Sequence, residues 1–114
     1  MRWSFSTLPV KRIILDENIP HALKSALVGH FVTSVQEQGW GGIQNGQLMA
    51  LLEGRFDVFI TADKNLRYQQ NLASRKIAII EMPFNSRRRL LPLAGKILEA
   101  VVSAKNNSYI VIEA

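Results

Sequence analysis

Five short runs rich in β-branched and aromatic residues punctuate the chain: Arg12 to Leu15, Phe31 to Val35, Asp57 to Thr61, Lys76 to Glu81 and Tyr109 to Ile112. Each is too short for a buried helix, and most are apolar without alternation, the pattern of a strand covered on both faces. The stretches between them are long enough to hold helices. Strands separated by helices imply right-handed crossovers and a mainly parallel sheet. The expected fold is therefore α/β, a three-layer α/β/α arrangement around a mainly parallel sheet of about five strands. The 114 residues fit a single domain over 1–114, with residues 1–10 as a loose arm ahead of the first strand.

The connecting segments carry their own signals. Pro20 suits a first helical turn, and Ala22, Leu23, Ala26 and Leu27 form an apolar stripe that Gly29 ends. Residues 36–44 hold Gly39, Trp40, Gly41 and Gly42 and form a long loop. Asn45 is an N-cap for a helix with Leu48, Leu51 and Leu52 on one face, closed at Gly54. Asp63 caps a helix running to about Ser74, with Leu66, Leu72 and Ala73 inward. Asn85 to Leu91 is a basic connection, and Leu93, Ile97, Leu98, Val101 and Val102 mark a longer helix. Residues 106–108 turn the chain into the last strand.

Composition narrows the chemistry. The chain has no cysteine and only His21 and His30. That excludes disulfides and thiolate metal sites, disfavours a histidine-rich centre and fits a reducing, cytoplasmic setting. The net charge of +5 with a pI near 10.0 favours a polyanion as partner. No run approaches the ~20 apolar residues of a membrane span.

In an open parallel sheet, ligands bind beyond the carboxyl ends of the strands. The first strand ends at Asp16, Glu17 and Asn18, the third at Thr61, Ala62 and Asp63. If these strands are neighbours, Asp16 and Asp63 share one edge. Two such carboxylates repel, and a hard cation such as Mg²⁺ or Mn²⁺ relieves the repulsion. Capping alone would also explain Asp63 and Asn18. Asp57 opens the third strand, roughly 13–14 Å from its far end, and is expected at a surface or turn. Asn65, Arg67, Gln69 and Gln70 could bond phosphates or bases with Tyr68 stacking, or Tyr68 could pack on Leu72. Arg87, Arg88 and Arg89 form the densest basic cluster, suited to a phosphate backbone or simply solvated. His21 could reach the site from its helix. Trp40 could stack on a base, cover the site or plug the core edge.

Leu15 to Asn18, Pro20 with His21, Gly29 with His30, Gly39 with Trp40, Asn45 with Gly46, and Thr61 to Asn65 together resemble the small bacterial PIN-like proteins of the DUF5615 class. The resemblance spans residues 12 to 104. It implies a PIN-like fold and a metal-dependent ribonuclease, the toxin of a toxin–antitoxin pair, with RNA and an antitoxin protein as partners. It places Asp16 and Asp63 as metal ligands for Mg²⁺ or Mn²⁺, Glu17 as a third catalytic acid, and Thr61, Asn18, Asn45 and Asn65 as supporting residues. His21, Arg67, Tyr68 and Arg87 to Arg89 would contact nucleic acid. Asn45 and Asn65 stand where many relatives carry acids, so the metal should be weakly bound. The alternative is a catalytically weak or inactive PIN-like protein- or RNA-binding module. A receiver-like phosphoacceptor would need a lysine near the last strand, which ends in Glu113 and Ala114. A homodimer could form through the last helix.

Overall fold

The computed structural model describes residues 10–68 and 75–114. The expected arm before Val10, the last turns of the helix after Asp63, and Gln69, Gln70, Leu72 and Ala73 lie outside the described residues. The sheet is wholly parallel, in the order β2 (Phe31–Ser34), β1 (Arg12–Leu15), β3 (Val58–Thr61), β4 (Ala78–Glu81), β5 (Tyr109–Val111). Strands 1 and 3 are neighbours, the condition on which the sequence argument for Asp16 and Asp63 depends.

Alternation along each strand sends side chains to two cores. Ile13, Leu15, Val58, Ile60, Ala78 and Ile80 pack on Leu23, Leu27, Leu90, Ile97 and Val101. Ile14, Phe59, Ile77 and Ile79 pack on Leu48, Met49, Leu52 and Leu66. The first face is covered by a 3₁₀ helix, His21–Ala26, and by α2 (Arg87–Leu90) and α3 (Ala94–Ser103). The second is covered by α1 (Asn45–Leu52) and a 3₁₀ helix at Lys64–Tyr68. These are the three layers expected from the alternating pattern.

Several local expectations are corrected. The segment 20–27 holds only the short 3₁₀ helix His21–Ala26 and not a full α-helix; no side chain caps its start, though Leu23 and Leu27 are still buried. Gln44, not Asn45, occupies the N-cap of α1. Part of the expected basic connection coils into the single turn α2. In α3 only Ile97 and Val101 of the expected stripe are fully buried, and Val102 faces outward at 41% exposure.

The expected uniform hand also fails. The β1-to-β2 connection and the β4-to-β5 connection cross the same face while stepping in opposite directions across the sheet. They therefore have opposite hands, and one departs from the right-handed rule. The six-residue 3₁₀ helix is too small to cover five strands, and α3 covers the apolar rows of β3 and β4 that it leaves bare.

Asp57 sits at the opposite end of the sheet from Asp16, as expected for a surface or turn residue. Its carboxylate accepts Arg12 N–H at 2.7 Å and pairs with the Arg12 guanidinium at 3.2 Å. Burial pushes its pKa up, but these bonds outweigh that and hold it below the usual aspartate value. Asn107, in the expected turn, takes a φ of 72°, a conformation asparagine tolerates better than most residues.

Phe59 is fully buried in the second core. Phe59→Ala should cost about 3–5 kcal/mol, read as a lower urea midpoint with an unchanged slope.

Candidate functional site

The register that buries the strands also sets the site. Leu15 pairs with Ile60, Ile60 with Ile80 and Thr61 with Glu81. One residue further along β1, Asp16 is level with Thr61, and its N–H still donates to Ile60 O at 2.9 Å. Asp16, Thr61 and Glu81 thus form one polar rung at the carboxyl edge, directed to the face of α1.

Thr61 links the two expected acids. Its hydroxyl donates to Asp16 Oδ2 at 2.6 Å and accepts the Asp63 N–H at 3.0 Å. Asp16 Oδ1 accepts Glu17 N–H at 2.8 Å. Asp63 Oδ1 accepts Asn65 N–H at 3.0 Å, and its Oδ2 accepts Asn45 Nδ2 at 3.0 Å. Each of the four oxygens thus takes one protein hydrogen bond and keeps a lone pair for another partner. Capping and site geometry coexist in Asp63, because its Oδ1 caps the 3₁₀ helix while its Oδ2 meets Asn45. Asn45 is freed for this contact by ceding the N-cap to Gln44.

Asp16 titrates above the usual aspartate range. Burial is the largest cause; the bonds from Thr61 and Glu17 oppose it, and the nearby charges of Asp63 and Glu17 add to it. Among the described residues the ion pairs join Arg12 to Asp57, Lys24 to Glu37, Arg67 to Glu81 and Arg75 to Glu53. None engages Asp16, Glu17 or Asp63. In a chain with 14 basic and nine acidic side chains, three neighbouring acids have no ion-pair partner among the described residues.

The donor set suits a hard cation. Mg²⁺ commonly takes one or two carboxylates and completes its shell with water, and Asp16 and Asp63 offer that number. Among the described residues, no group of three or more His, Asp or Glu side chains is arranged to hold a metal.

The other expected residues divide. Asn18 Oδ1 accepts Ala62 N–H at 3.4 Å, tying the end of β1 to the end of β3; it does not cap the 3₁₀ helix. Glu17 turns to the glycine loop, where its Oε1 accepts Gly42 N–H at 2.7 Å. His21 is exposed. Tyr68 is 77% exposed. Arg87, Arg88 and Arg89 are exposed on α2, and the Arg89 guanidinium lies 3.9 Å from the Phe84 ring centre. Trp40 packs against the second core, edge-on to Phe56 at 6.3 Å; of the three roles open to it, it plugs the core edge.

Arg67 has a partner that the sequence reading missed. Its Nε and Nη2 donate to the two oxygens of Glu81, and the Tyr109 hydroxyl donates to Glu81 Oε1 at 2.7 Å. Glu81 is only 1% exposed. Burial pushes its pKa up, but Arg67 and Tyr109 outweigh burial and hold it below the usual glutamate range. Burial and the adjacent Glu81 raise the Tyr109 phenol well above its ordinary value. The available signal was position: Glu81 ends an apolar strand much as Asp16 follows one.

Comparison with protein-family models, with curated proteins and with solved structures finds no match to this chain.

Two outcomes follow. Because the folded-state pKa of Asp16 is raised, the metal-free protein should lose stability as pH rises from the ordinary aspartate value through the raised one. Asp16→Asn should therefore be more stable than the parent at pH 7, by about 0.5–2 kcal/mol, and the gain should vanish below the ordinary aspartate range; thermal melts in chelator across pH measure it. Arg67→Ala should lower the melting temperature, since it leaves a buried carboxylate with the Tyr109 hydroxyl alone. Glu81, with its lowered pKa, stabilises the fold above the ordinary glutamate value and loses that contribution as pH falls through its folded one. The Arg67→Ala deficit should therefore shrink in acid.

Proposed function

We propose that the chain is a metal-dependent ribonuclease of the PIN-like class, with Asp16 and Asp63 as the residues that hold Mg²⁺ or Mn²⁺. One observation carries this reading: Thr61 bridges the two acids at the carboxyl ends of adjacent parallel strands, and no cation of the described residues neutralises them. When bound, the metal would polarise a phosphate oxygen and lower the pKa of an attacking water.

The protein's own groups do the rest by position. Thr61 holds the Asp16 carboxylate from one side and the Glu17 N–H holds it from the other, which fixes its plane. Asn45 and the Asn65 N–H do the same for Asp63. Fixed acids lose little freedom when a ligand arrives, and such preorganisation is where much of an active site's effect originates. The free edge of the Arg67 guanidinium and the exposed Arg87 to Arg89 would attract the flanking RNA backbone, with Tyr68 available to stack on a base. The resemblance extends the reading to a cytoplasmic toxin with an antitoxin partner.

A second reading, a binding module without catalysis, is favoured by a specific contact: Asp63 meets the amide of Asn45, where a third carboxylate would strengthen metal binding.

Purified protein with single-stranded RNA and Mn²⁺ should cleave, and Asp16→Asn/Asp63→Asn should cut the rate on the order of 100-fold or more. Equal rates in both proteins would remove the nuclease reading. Calorimetric Mn²⁺ binding without cleavage would favour the module.

A further inference from the structure

Glu17 follows Asp16 directly, yet its side chain points away from the acid pair toward a different element. Its Oε1 accepts the backbone N–H of Gly42 at 2.7 Å, across 25 positions of sequence. Its own carbonyl accepts Gln36 Nε2 at 3.1 Å. One residue is thus bonded to both ends of the loop that joins β2 to α1. Gly42 has a φ of +82°, where a side chain would be strained. Three residues later, Asn45 opens α1 and donates to Asp63.

The loop has other anchors. Trp40 N–H donates to Val35 O at 3.0 Å and Ile43 N–H to Trp40 O at 3.2 Å, fixing the Trp40 turn on the core. Between Gly41 and α1 the loop is held by that Ile43 bond, by Ile43 packing on the second core, and at Gly42 by the bond to Glu17, a short bond to a carboxylate acceptor and so stronger than one between neutral groups.

We propose that Glu17 is a positioning residue that clasps the glycine loop and so sets Asn45 against Asp63. This rests on reading Asp16 and Asp63 as the working carboxylates, and it gives Glu17 a positioning role in place of that of a third catalytic acid. Glu17 supplies an acceptor, not a charge at the reacting phosphate. A glutamine at this position can accept the same N–H; an alanine cannot.

The test uses the metal-free protein first. Glu17 is exposed, so truncating it leaves the core intact. In Glu17→Ala, exchange of the Gly42 amide measured by NMR should speed up about 10-fold, and the Asn45 side-chain amide should lose its protection. Glu17→Gln should keep both. An unchanged Asn45 amide in Glu17→Ala overturns the proposal. The second arm is calorimetric titration with Mn²⁺. Glu17→Ala should weaken binding about 10-fold, and Glu17→Gln should restore most of it. If Gln binds as poorly as Ala, the carboxylate is itself a ligand and the positioning role is lost. If the parent takes up no Mn²⁺, the acid-pair reading fails, while the exchange data still decide whether the clasp exists.

Discussion

The parallel register of β1, β3 and β4 is the constraint on which the site depends. In-register neighbours in a sheet point to the same face, so one set of backbone bonds places Asp16, Thr61 and Glu81 on a single rung. A slip of one residue would turn all three into the opposite core. That slip is opposed by the apolar residues beneath, because Ile14, Phe59 and Ile79 fill one core while Leu15, Ile60 and Ile80 fill the other. The same burial that stabilises the fold therefore aims the polar rung at the edge.

Burial also sets the chemistry of that rung, and its members are handled differently. Glu81 is buried, ion-paired with Arg67 and hydrogen-bonded by the Tyr109 hydroxyl. Asp16 has no described cation beside it: burial raises its pKa most, the neutral donors Thr61 and Glu17 N–H oppose the rise, and the charges of Asp63 and Glu17 add to it. The difference follows from where the cations stand. The 3₁₀ helix after Asp63 brings Arg67 over β4, one strand beyond Thr61, and it does not reach back to β1.

The strands were legible in the sequence because a buried parallel strand leaves little ambiguity: Arg12 to Leu15 and Asp57 to Thr61 have no helical period and no room for one. Asp16 and Asp63 were legible for the same reason, since a charge directly after such a run has to sit at the strand's end. The connections were harder. Residues 20–27 carry an apolar stripe compatible with either helix type, so the stripe alone does not select the 3₁₀ helix that forms. The hand of the β4 connection depends on which face lacks cover, a property of the whole sheet that no local pattern encodes. Glu81 and Arg67 escaped notice because their pairing spans 14 positions and a crossover, and a lone glutamate closing a strand resembles an ordinary solvent-facing end. Glu17 has the same difficulty in another form. Its neighbour Asp16 marks it as a site residue, while its partner, a glycine N–H, has no side chain to betray the contact.

Charge placement closes the argument. A basic chain has cations to spare, and among the described residues four acids are paired with them. Glu99 and Glu113 are exposed and solvated; being isolated on the surface, they need no partner. Asp16, Glu17 and Asp63 are instead near one another, and Asp16 is partly desolvated, the situation in which an internal cation would stabilise the fold most. The described structure supplies neutral donors there: a threonine hydroxyl, an asparagine amide and backbone N–H groups. Neutral donors fix the carboxylates without cancelling their charge. On the proposed reading the compensating cation comes from solution, and the uncompensated field is the stability that the metal-free protein forgoes.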